Sequence, residues 1–282
     1  MFYRMLVIVL ALSIAVMACG FQMNLPTIPT AGPDVTEELN VPVPSGGGTP
    51  ILSLGFGAGE LNLNPGGEGL VSGTATYNLQ ALKPTVDVNG SVVKISQGNM
   101  QGFNTMPQNL HNIWDLKLGN SPMDLQIDAG AYKARYELGG LALANLTIKD
   151  GASDVRLKFS TPNTTEMGIL RYETGASNVT IEGIGNANPS SLIFKCGAGN
   201  YTLDFSGQLQ RNITGHVEAG LGNITIAVPA GVSAQVTVTS GLSNVNAGSD
   251  WQKNVDTYTQ TGTGPTLNLI VDIGAGNLTL TH

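Results

Sequence analysis

One short phrase recurs eight times along this chain of 282 residues and constrains its fold more than any other feature. It consists of a glycine, a small residue and a turn-forming residue, followed by two apolar positions that flank a polar one. The phrase glycines are Gly57, Gly130, Gly151, Gly175, Gly197, Gly220, Gly241 and Gly274. The spacings from Gly130 to Gly241 are 21, 24, 22, 23 and 21 residues, whereas Gly57 lies 73 residues before Gly130 and Gly274 lies 33 residues after Gly241. A period in the twenties is typical of a stacked repeat protein.

Apolar residues alternate with polar ones on both sides of each glycine. In one copy Leu192, Phe194 and Cys196 precede Gly197, and Tyr201 and Leu203 follow it. Side chains two residues apart on a strand share a face, so the pattern predicts two short strands around a turn, with glycine supplying a positive φ. One repeat cannot bury enough apolar surface to offset the entropy lost on ordering it, so neighbouring repeats must share a core.

The residue before the second strand is usually one that tolerates left-handed turn geometry. These residues are Asp154, Asn178, Asn200, Asn223, Asn244 and Asn277. Several begin an Asn-x-Thr triplet, which we interpret as a turn residue and an outward threonine rather than as a glycan site. Stacking would place Thr180, Thr202 and Thr225 in one outer column, either an adhesive surface or a plain solvated sheet.

The N-terminal segment has the pattern of a secreted, lipid-anchored protein. Residues 1–18 carry Arg4 and the apolar run from Met5 to Val16, which is too short to span a membrane and predicts a signal peptide. The stretch Val16-Met17-Ala18-Cys19-Gly20 resembles the lipobox of bacterial lipoproteins, which implies cleavage and acylation at Cys19. The alternative is an ordinary signal peptide with an incidental cysteine. The expected location is the outer face of the cell membrane.

The remaining chain divides into three predicted parts. Residues 19–50 hold six prolines and a triple glycine and are predicted to be a tether. Residues 51–118 predict a small β domain that contains a hairpin around Asn89-Gly90. Residues 119–282 predict a single-stranded, β-helix-like solenoid of ~22-residue repeats. Its last strand is expected to close the stack, and 186–191 and 249–264 are expected to be loops.

Charge excludes some partners. Only 12% of residues are charged and the formal net charge is −7, which becomes −8 once Arg4 is removed with the signal peptide. An acidic surface argues against nucleic acid and anionic lipid head groups as partners.

Residue types that carry catalysis or bind metals are sparse. His111, His216 and His282 lie far from one another and from the cysteines, so metal-ligand spacing is absent. Cys196 shares a strand face with apolar residues, which favours a buried small hydrophobe over a reactive thiol. With Cys19 acylated, the chain has no second cysteine for an internal disulfide.

Acidic and basic residues near the turns raise two further alternatives. The aspartates are Asp124, Asp128, Asp150, Asp154, Asp204 and Asp272, and they lack the close Asp-Gly run of calcium-binding solenoids. A carbohydrate-active site would need Asp154, Arg156, Arg135 and Arg171 to meet across layers. Arg135 and Arg156 occupy outward positions where solvated charges are expected, so we do not expect this cluster to form a catalytic site. Together with the absence of metal-ligand spacing, this predicts no catalytic residues, no metal and no cofactor.

Several segments of the chain resemble the toast-rack family. One set is similar to the C-terminal domain of LiaF-type cell wall-active antibiotic response proteins and to adhesins built on the same repeat. This set consists of Asn112–Leu118, Met123–Asp128, the phrase at Gly130, Leu138–Leu141 and the phrase at Gly151. Gly57–Ile95 is similar to the N-terminal toast-rack domain, and the resemblance covers about residues 51–282.

The resemblance implies a β-solenoid without assigned catalytic residues. LiaF-type proteins restrain an envelope-stress sensor kinase and are anchored by membrane helices, whereas this chain carries the lipobox instead. We therefore expect a cell-envelope lipoprotein whose solenoid binds, adheres or supports structure, with an envelope polymer or a membrane protein as partner. A LiaF-like regulator and a carbohydrate-active enzyme are the alternatives, and the oligomeric state stays open.

Overall fold

Long strands dominate the structure, a computed structural model that describes residues 31–98 and 109–282. The strands are β1 Val35–Val41, β2 Ile51–Pro65, β3 Val71–Tyr77, β4 Thr85–Asn89, β5 Val92–Ser96, β6 Asn112–Leu118, β7 Met123–Glu137, β8 Leu143–Lys158, β9 Met167–Glu182, β10 Pro189–Asp204, β11 Ile213–Ala227, β12 Ser233–Ala247, β13 Gln252–Asn254, β14 Thr257–Gln260 and β15 Thr266–Thr281. A 3-10 turn covers Gln80–Leu82 and a single helical turn, α1, covers Ile184–Ala187. Within the described ranges, no helix has the length and apolar character needed to cross a membrane. The predicted all-β solenoid is confirmed, whereas the signal peptide and Cys19 lie outside the described residues.

Each phrase glycine lies inside a long strand rather than in a turn between two strands. The parallel ladders skip the glycine pair in every neighbouring layer, so each strand has a first arm before its glycine and a second arm after it. Buried positions change parity across the phrase, as in β10, where Cys196 and Tyr201 are buried five residues apart. Both arms therefore face one core.

The long strands stack in parallel in the order β2-β7-β8-β9-β10-β11-β15-β12. The sequence predicts that the last strand closes the stack, and this prediction is wrong. β15 instead inserts between β11 and β12. The 33-residue gap before Gly274 is the return path: the chain leaves β12, forms β13 and β14, and comes back one layer earlier.

The phrase glycines are required by the neighbouring layer and not by their own φ. A Cβ on Gly175 would lie 2.5 Å from the carbonyl oxygen of Gly151, and one on Gly197 would lie 2.5 Å from that of Gly175. The predicted positive φ occurs two residues later, at Gly59, Gly199 and Gly276. The sequence analysis assigned it to the wrong glycine because the steric demand comes from a residue about 22 positions away.

The N-terminal end of the stack divides at β2. The first arm of β2 is extended by β5 and then by β4, which form the predicted Asn-Gly hairpin. The second arm is extended by β6, β3 and β1. β2 also pairs with β7 from Ile51 to Leu63, so one sheet crosses the predicted boundary at 118/119.

Strand β1 corrects the predicted tether. Val35–Val41 pairs antiparallel with β3 along its whole length, and Leu39 and Val41 are buried in the common core. The proline and glycine content of residues 19–50 predicted no folding, but two apolar side chains and a partner edge suffice to hold this segment.

Two segments predicted to be loops contain regular structure. Part of 186–191 lies in α1 and β10, and 249–264 contains the β13–β14 hairpin. β14 pairs antiparallel with the first arm of β12 from Ala234 to Thr237. Trp251 and Tyr258 are buried there, so the hairpin covers one half of this end of the core.

Candidate binding face

A column of asparagines runs along the outside of the second arms, three residues after the phrase glycine. Asn200 donates to Asn178 at 3.0 Å, Asn223 donates to Asn200 at 2.9 Å, and Asn277 donates to Asn223 at 2.7 Å, each from Nδ2 to Oδ1. All four side chains are exposed. A carboxamide has two N–H donors and two oxygen lone pairs, so a ladder that uses one of each leaves groups directed to solvent.

A column of threonines lies two residues further along the same arms. Thr180, Thr202 and Thr225 are register partners, which confirms the stacking predicted from the sequence. Thr279 continues the column beyond Thr225. The sequence analysis missed Thr279 as a member, although Asn277-Leu278-Thr279 repeats the triplet, because the last copy lies outside the regular spacing.

Together these columns form the Asn–Thr face, defined by Asn178, Asn200, Asn223, Asn277, Thr180, Thr202, Thr225 and Thr279. The residues between them, such as Val179 and Ile224, are buried and hold the strands on the core. Neighbouring strands lie about 4.8 Å apart, and side chains two residues apart along a strand lie about 6.6 Å apart. The face is therefore a rigid grid of uncharged polar groups.

Charged residues replace the grid towards the N-terminal layers. Arg135 and Arg156 are register partners in the column that Thr180 continues. Arg156 donates from Nε to Glu182 at 3.0 Å, and Arg135 lies 3.4 Å from Glu60. These guanidinium groups are exposed and paired with carboxylates.

Arg171 and Asp154 do not complete the groove that a carbohydrate-active site would need. Arg171 lies on a first arm and donates to Glu173 at 2.8 Å. Asp154 is the register partner of Asn178 on the second arm. The four residues considered for catalysis are thus divided between the two arms.

The first arms carry a different outer column, in which charges alternate over five layers and end in two adjacent acidic residues. Its register runs Asp128, Lys149, Glu173, Lys195, Glu218 and Asp272. Lys195 lies 2.7 Å from Glu218 and Lys149 lies 3.9 Å from Glu173. The hydrogen bond from Arg171, with the charge of Lys149, holds the pKa of Glu173 below its ordinary value. The two lysines of this column are thus paired with neighbouring carboxylates, whereas Glu218 and Asp272 lie side by side.

Comparison with known proteins places these layers in a family. Residues 45–182 match the family described as the N-terminal domain of toast_rack, DUF2154. The segment 45–182 of this chain belongs to the toast-rack family. The matched segment covers β2 to β9 and thus includes the first layer of the Asn–Thr face.

One solved structure shares the fold of this chain at low sequence identity. A putative cell adhesion protein from Clostridium sporogenes is 18% identical with a TM-score of 0.50, and the match covers 88% of this chain and 99% of that one. A putative adhesin from Bacteroides fragilis is 13% identical with a TM-score of 0.41, over 88% of this chain and 97% of that one. The first likeness shows the fold, and no curated protein matches the chain.

At the bend of β8, the half-buried Asp150 is surrounded by hydroxyl groups. Its carboxylate accepts hydrogen bonds from Tyr172 at 2.7 Å, from Tyr132 and Ser153 at 3.1 Å, and from Thr174. Burial raises the pKa of both tyrosines, and the nearby Asp150 charge raises them further. The hydroxyl groups therefore stay protonated. The network stabilises the bend of the strand and does not have the properties of an acid–base site.

Cys196 lies in the layer after this network. It is 8% exposed, and burial raises the pKa of its thiol to about 12. Because the thiolate is the nucleophilic form, this thiol is inert at neutral pH. Its predicted place on the apolar face of the strand is confirmed.

The three histidines each contact one aspartate. His216 lies 2.7 Å from Asp272, His111 lies 2.8 Å from Asp34, and His282 lies 3.5 Å from Asp250. In the part of the chain that the structure describes, no three metal-ligating side chains come together.

A groove of about 1090 Å³ lies beside the β4–β5 hairpin where β2 and β7 bend. Gln97 anchors this hairpin, since its Oε1 accepts from the backbone N–H of Gly57 at 2.9 Å and from Asn112 Nδ2 at 2.9 Å. Lys94, Gln126 and Asp128 line the groove. Its lining does not repeat from layer to layer, in contrast to the Asn–Thr face.

Proposed function

We propose that this chain is a non-enzymatic binding module, held on the outer face of the cell membrane by acylation of Cys19, and that it binds a neutral envelope polysaccharide through the Asn–Thr face. The observation that carries the proposal is the hydrogen-bonded asparagine ladder with its parallel threonine column. The cell adhesion name of the Clostridium sporogenes structure is consistent with this role.

The asparagine ladder preorganises the Asn–Thr face for binding. Each ladder carboxamide is already fixed by its neighbour, so little rotamer entropy is lost when a ligand forms hydrogen bonds with it. The face is flat, so a single small molecule would make few contacts. A polymer with hydroxyl or acetamido groups on every unit would contact several layers at once. Weak contacts that are linked in one ligand give a much higher overall affinity than each contact alone.

The charge of the face selects the polymer class. The two columns contain only asparagine and threonine over four layers, whereas the whole chain is acidic. A polyanion would be repelled by the net charge and would find no cation on this face. We therefore propose a neutral polysaccharide, whose binding should depend little on salt because no charge pairs are formed.

The test removes hydroxyl groups without changing strand shape. The combined variant Thr180→Val, Thr202→Val and Thr225→Val should lower affinity for an isolated cell-wall polysaccharide about tenfold or more, because each lost hydrogen bond contributes about 0.5–1.5 kcal/mol. Affinity is measured by co-sedimentation of the full chain with the insoluble polymer. Valine keeps the β-branched shape, so the sheet should be preserved.

The matched control makes the same change on the first arms. Thr147, Thr214 and Thr239 occupy outward positions there, and their combined change to valine should leave binding unchanged. Equal loss in both triple variants, or no loss in either, would show that the Asn–Thr face is not the binding surface.

A further inference from the structure

The second arm of β12 is an uncovered edge of the sheet. β14 pairs with β12 only from Ala234 to Thr237, and the last backbone hydrogen bond of that hairpin to β12 is donated by Val238 N–H to the carbonyl of Asp256 at 2.8 Å. Beyond it, Lys253 and Asp256 of the hairpin line a groove together with 243–245. Among the described residues, no strand pairs with the other side of β12 from 241 to 247. Backbone groups along this edge are thus directed away from the sheet.

The apolar core is also incompletely covered at this edge. Val245 is half-buried and Ala247 is exposed, whereas Leu278 and Leu280, their register partners in β15, are at most 1% exposed. The hydroxyl oxygen of Ser243 is buried without a hydrogen-bond partner among the described residues. One more strand beside β12 would cover the apolar side chains of this layer.

The edge lacks the devices that normally prevent strand pairing. Proteins protect edge strands with charged residues, proline or bulges. The segment 239–248 contains no charged residue and no proline, whereas β1, the edge at the opposite end of the second arms, carries Glu37 and Glu38. The two ends therefore differ, which disfavours a head-to-tail chain of copies.

We propose that two copies of this chain pair through the second arms of β12, antiparallel across a two-fold axis near Asn244. Two identical strands are self-complementary in this arrangement, and the assembly closes at two copies. A two-fold axis perpendicular to the sheet keeps both outer surfaces on the same side. The two Asn–Thr faces then form one continuous surface, and each β12 core layer is covered by its partner.

Cysteine cross-linking in the full chain tests this pairing. Directly opposed residues of antiparallel strands have Cα atoms about 4.5–5.5 Å apart, which is within the range that a disulfide bridges. Asn244→Cys should therefore give a disulfide-linked dimer in isolated membranes treated with a mild oxidant, measured by non-reducing electrophoresis. The parent chain is the blank, and buried Cys196 should not react.

Asn200→Cys is the matched control, since Asn200 is an equally exposed ladder residue in the middle of the stack. It should give no dimer. Adding Asn246→Lys to Asn244→Cys should lower the dimer yield about tenfold, because a lysine on an edge strand opposes pairing with a second strand. Cross-linking at both positions alike, at neither position, or unaffected by the lysine would overturn the proposal.

Discussion

At the residue scale, the repeated glycine is explained by what lies in the next layer. The phrase glycines have ordinary φ values, and alanine could adopt their backbone conformation. From Gly130 onwards, an added Cβ would lie 2.4–3.1 Å from the carbonyl oxygen of the adjacent phrase glycine, whereas at Gly57 it would meet the side chain of Gln97. The glycine column therefore lets successive strands bend at the same register position.

Gly175→Ala tests this explanation. The added Cβ would lie 2.5 Å from the backbone oxygen of Gly151, so the layers must separate locally. We expect a loss of about 1–3 kcal/mol in the free energy of unfolding, typical of overpacking in a close-packed interior. Chemical denaturation followed by circular dichroism measures it.

Gly47→Ala is the control for this substitution, because a Cβ on Gly47 has no neighbour within 4 Å and its φ is not positive. Its midpoint should stay within error of the parent chain. If Gly175→Ala is equally harmless, the stacked-glycine explanation is wrong.

At the element scale, β1 shows how a short strand is held by its neighbours. Glu37 accepts hydrogen bonds from Lys83 at 2.7 Å and from Tyr77 at 2.9 Å, while Leu39 and Val41 enter the core. The bonds from Lys83 and Tyr77 lower the pKa of Glu37 below its ordinary value of 4.5. Because the folded state favours the charged carboxylate, this contribution to stability is present above about pH 4.5 and is lost as the pH falls through the lower folded value.

Glu37→Gln should remove that pH dependence. At neutral pH the variant should have a lower urea midpoint than the parent chain, and the difference should shrink below pH 4.5 as Glu37 becomes protonated. Glu38→Gln is the neighbouring control, since Glu38 is exposed on the other face of β1. A difference between parent and Glu37→Gln that is the same at neutral and acid pH would exclude this role for the carboxylate.

At the scale of the whole molecule, the stack has two unlike ends. The N-terminal end is widened by β4–β5 on one arm and by β6, β3 and β1 on the other, whereas the C-terminal end is covered on its first arm alone. The chain leaves the described structure towards its N terminus at residue 31, next to β1. The proposed anchor at Cys19 thus lies only 12 residues from the folded part, a reach of about 40 Å at most.

The anchor is tested by cell fractionation. Cys19→Ala should move the chain from the membrane fraction to the soluble fraction, because acyl chains supply the membrane affinity. Cys196→Ala, which changes a buried cysteine, should leave the chain with the membranes. Unchanged fractionation of Cys19→Ala would reject lipid anchoring while leaving the Asn–Thr face open to its own test.

Much of the fold follows from local sequence. The apolar alternation around each glycine is written within about 15 residues, and it correctly predicts an all-β stack with inward apolar rows and an outer threonine column. The Asn-Gly hairpin between β4 and β5 was predicted for the same reason, since its turn chemistry and its strands are adjacent in the chain.

The features that sequence reasoning missed depend on contacts between distant residues. β1 is held by β3 about 35 residues away, β15 inserts between two earlier layers, and the asparagine amides form a ladder only because register brings them together from separate repeats. Periodicity alone determined that this chain stacks short strands on a shared core. Only the tertiary structure decided the order of the layers, the reason for the glycines and the uncovered edge at β12, because steric contact and hydrogen bonding between layers do not depend on closeness in sequence.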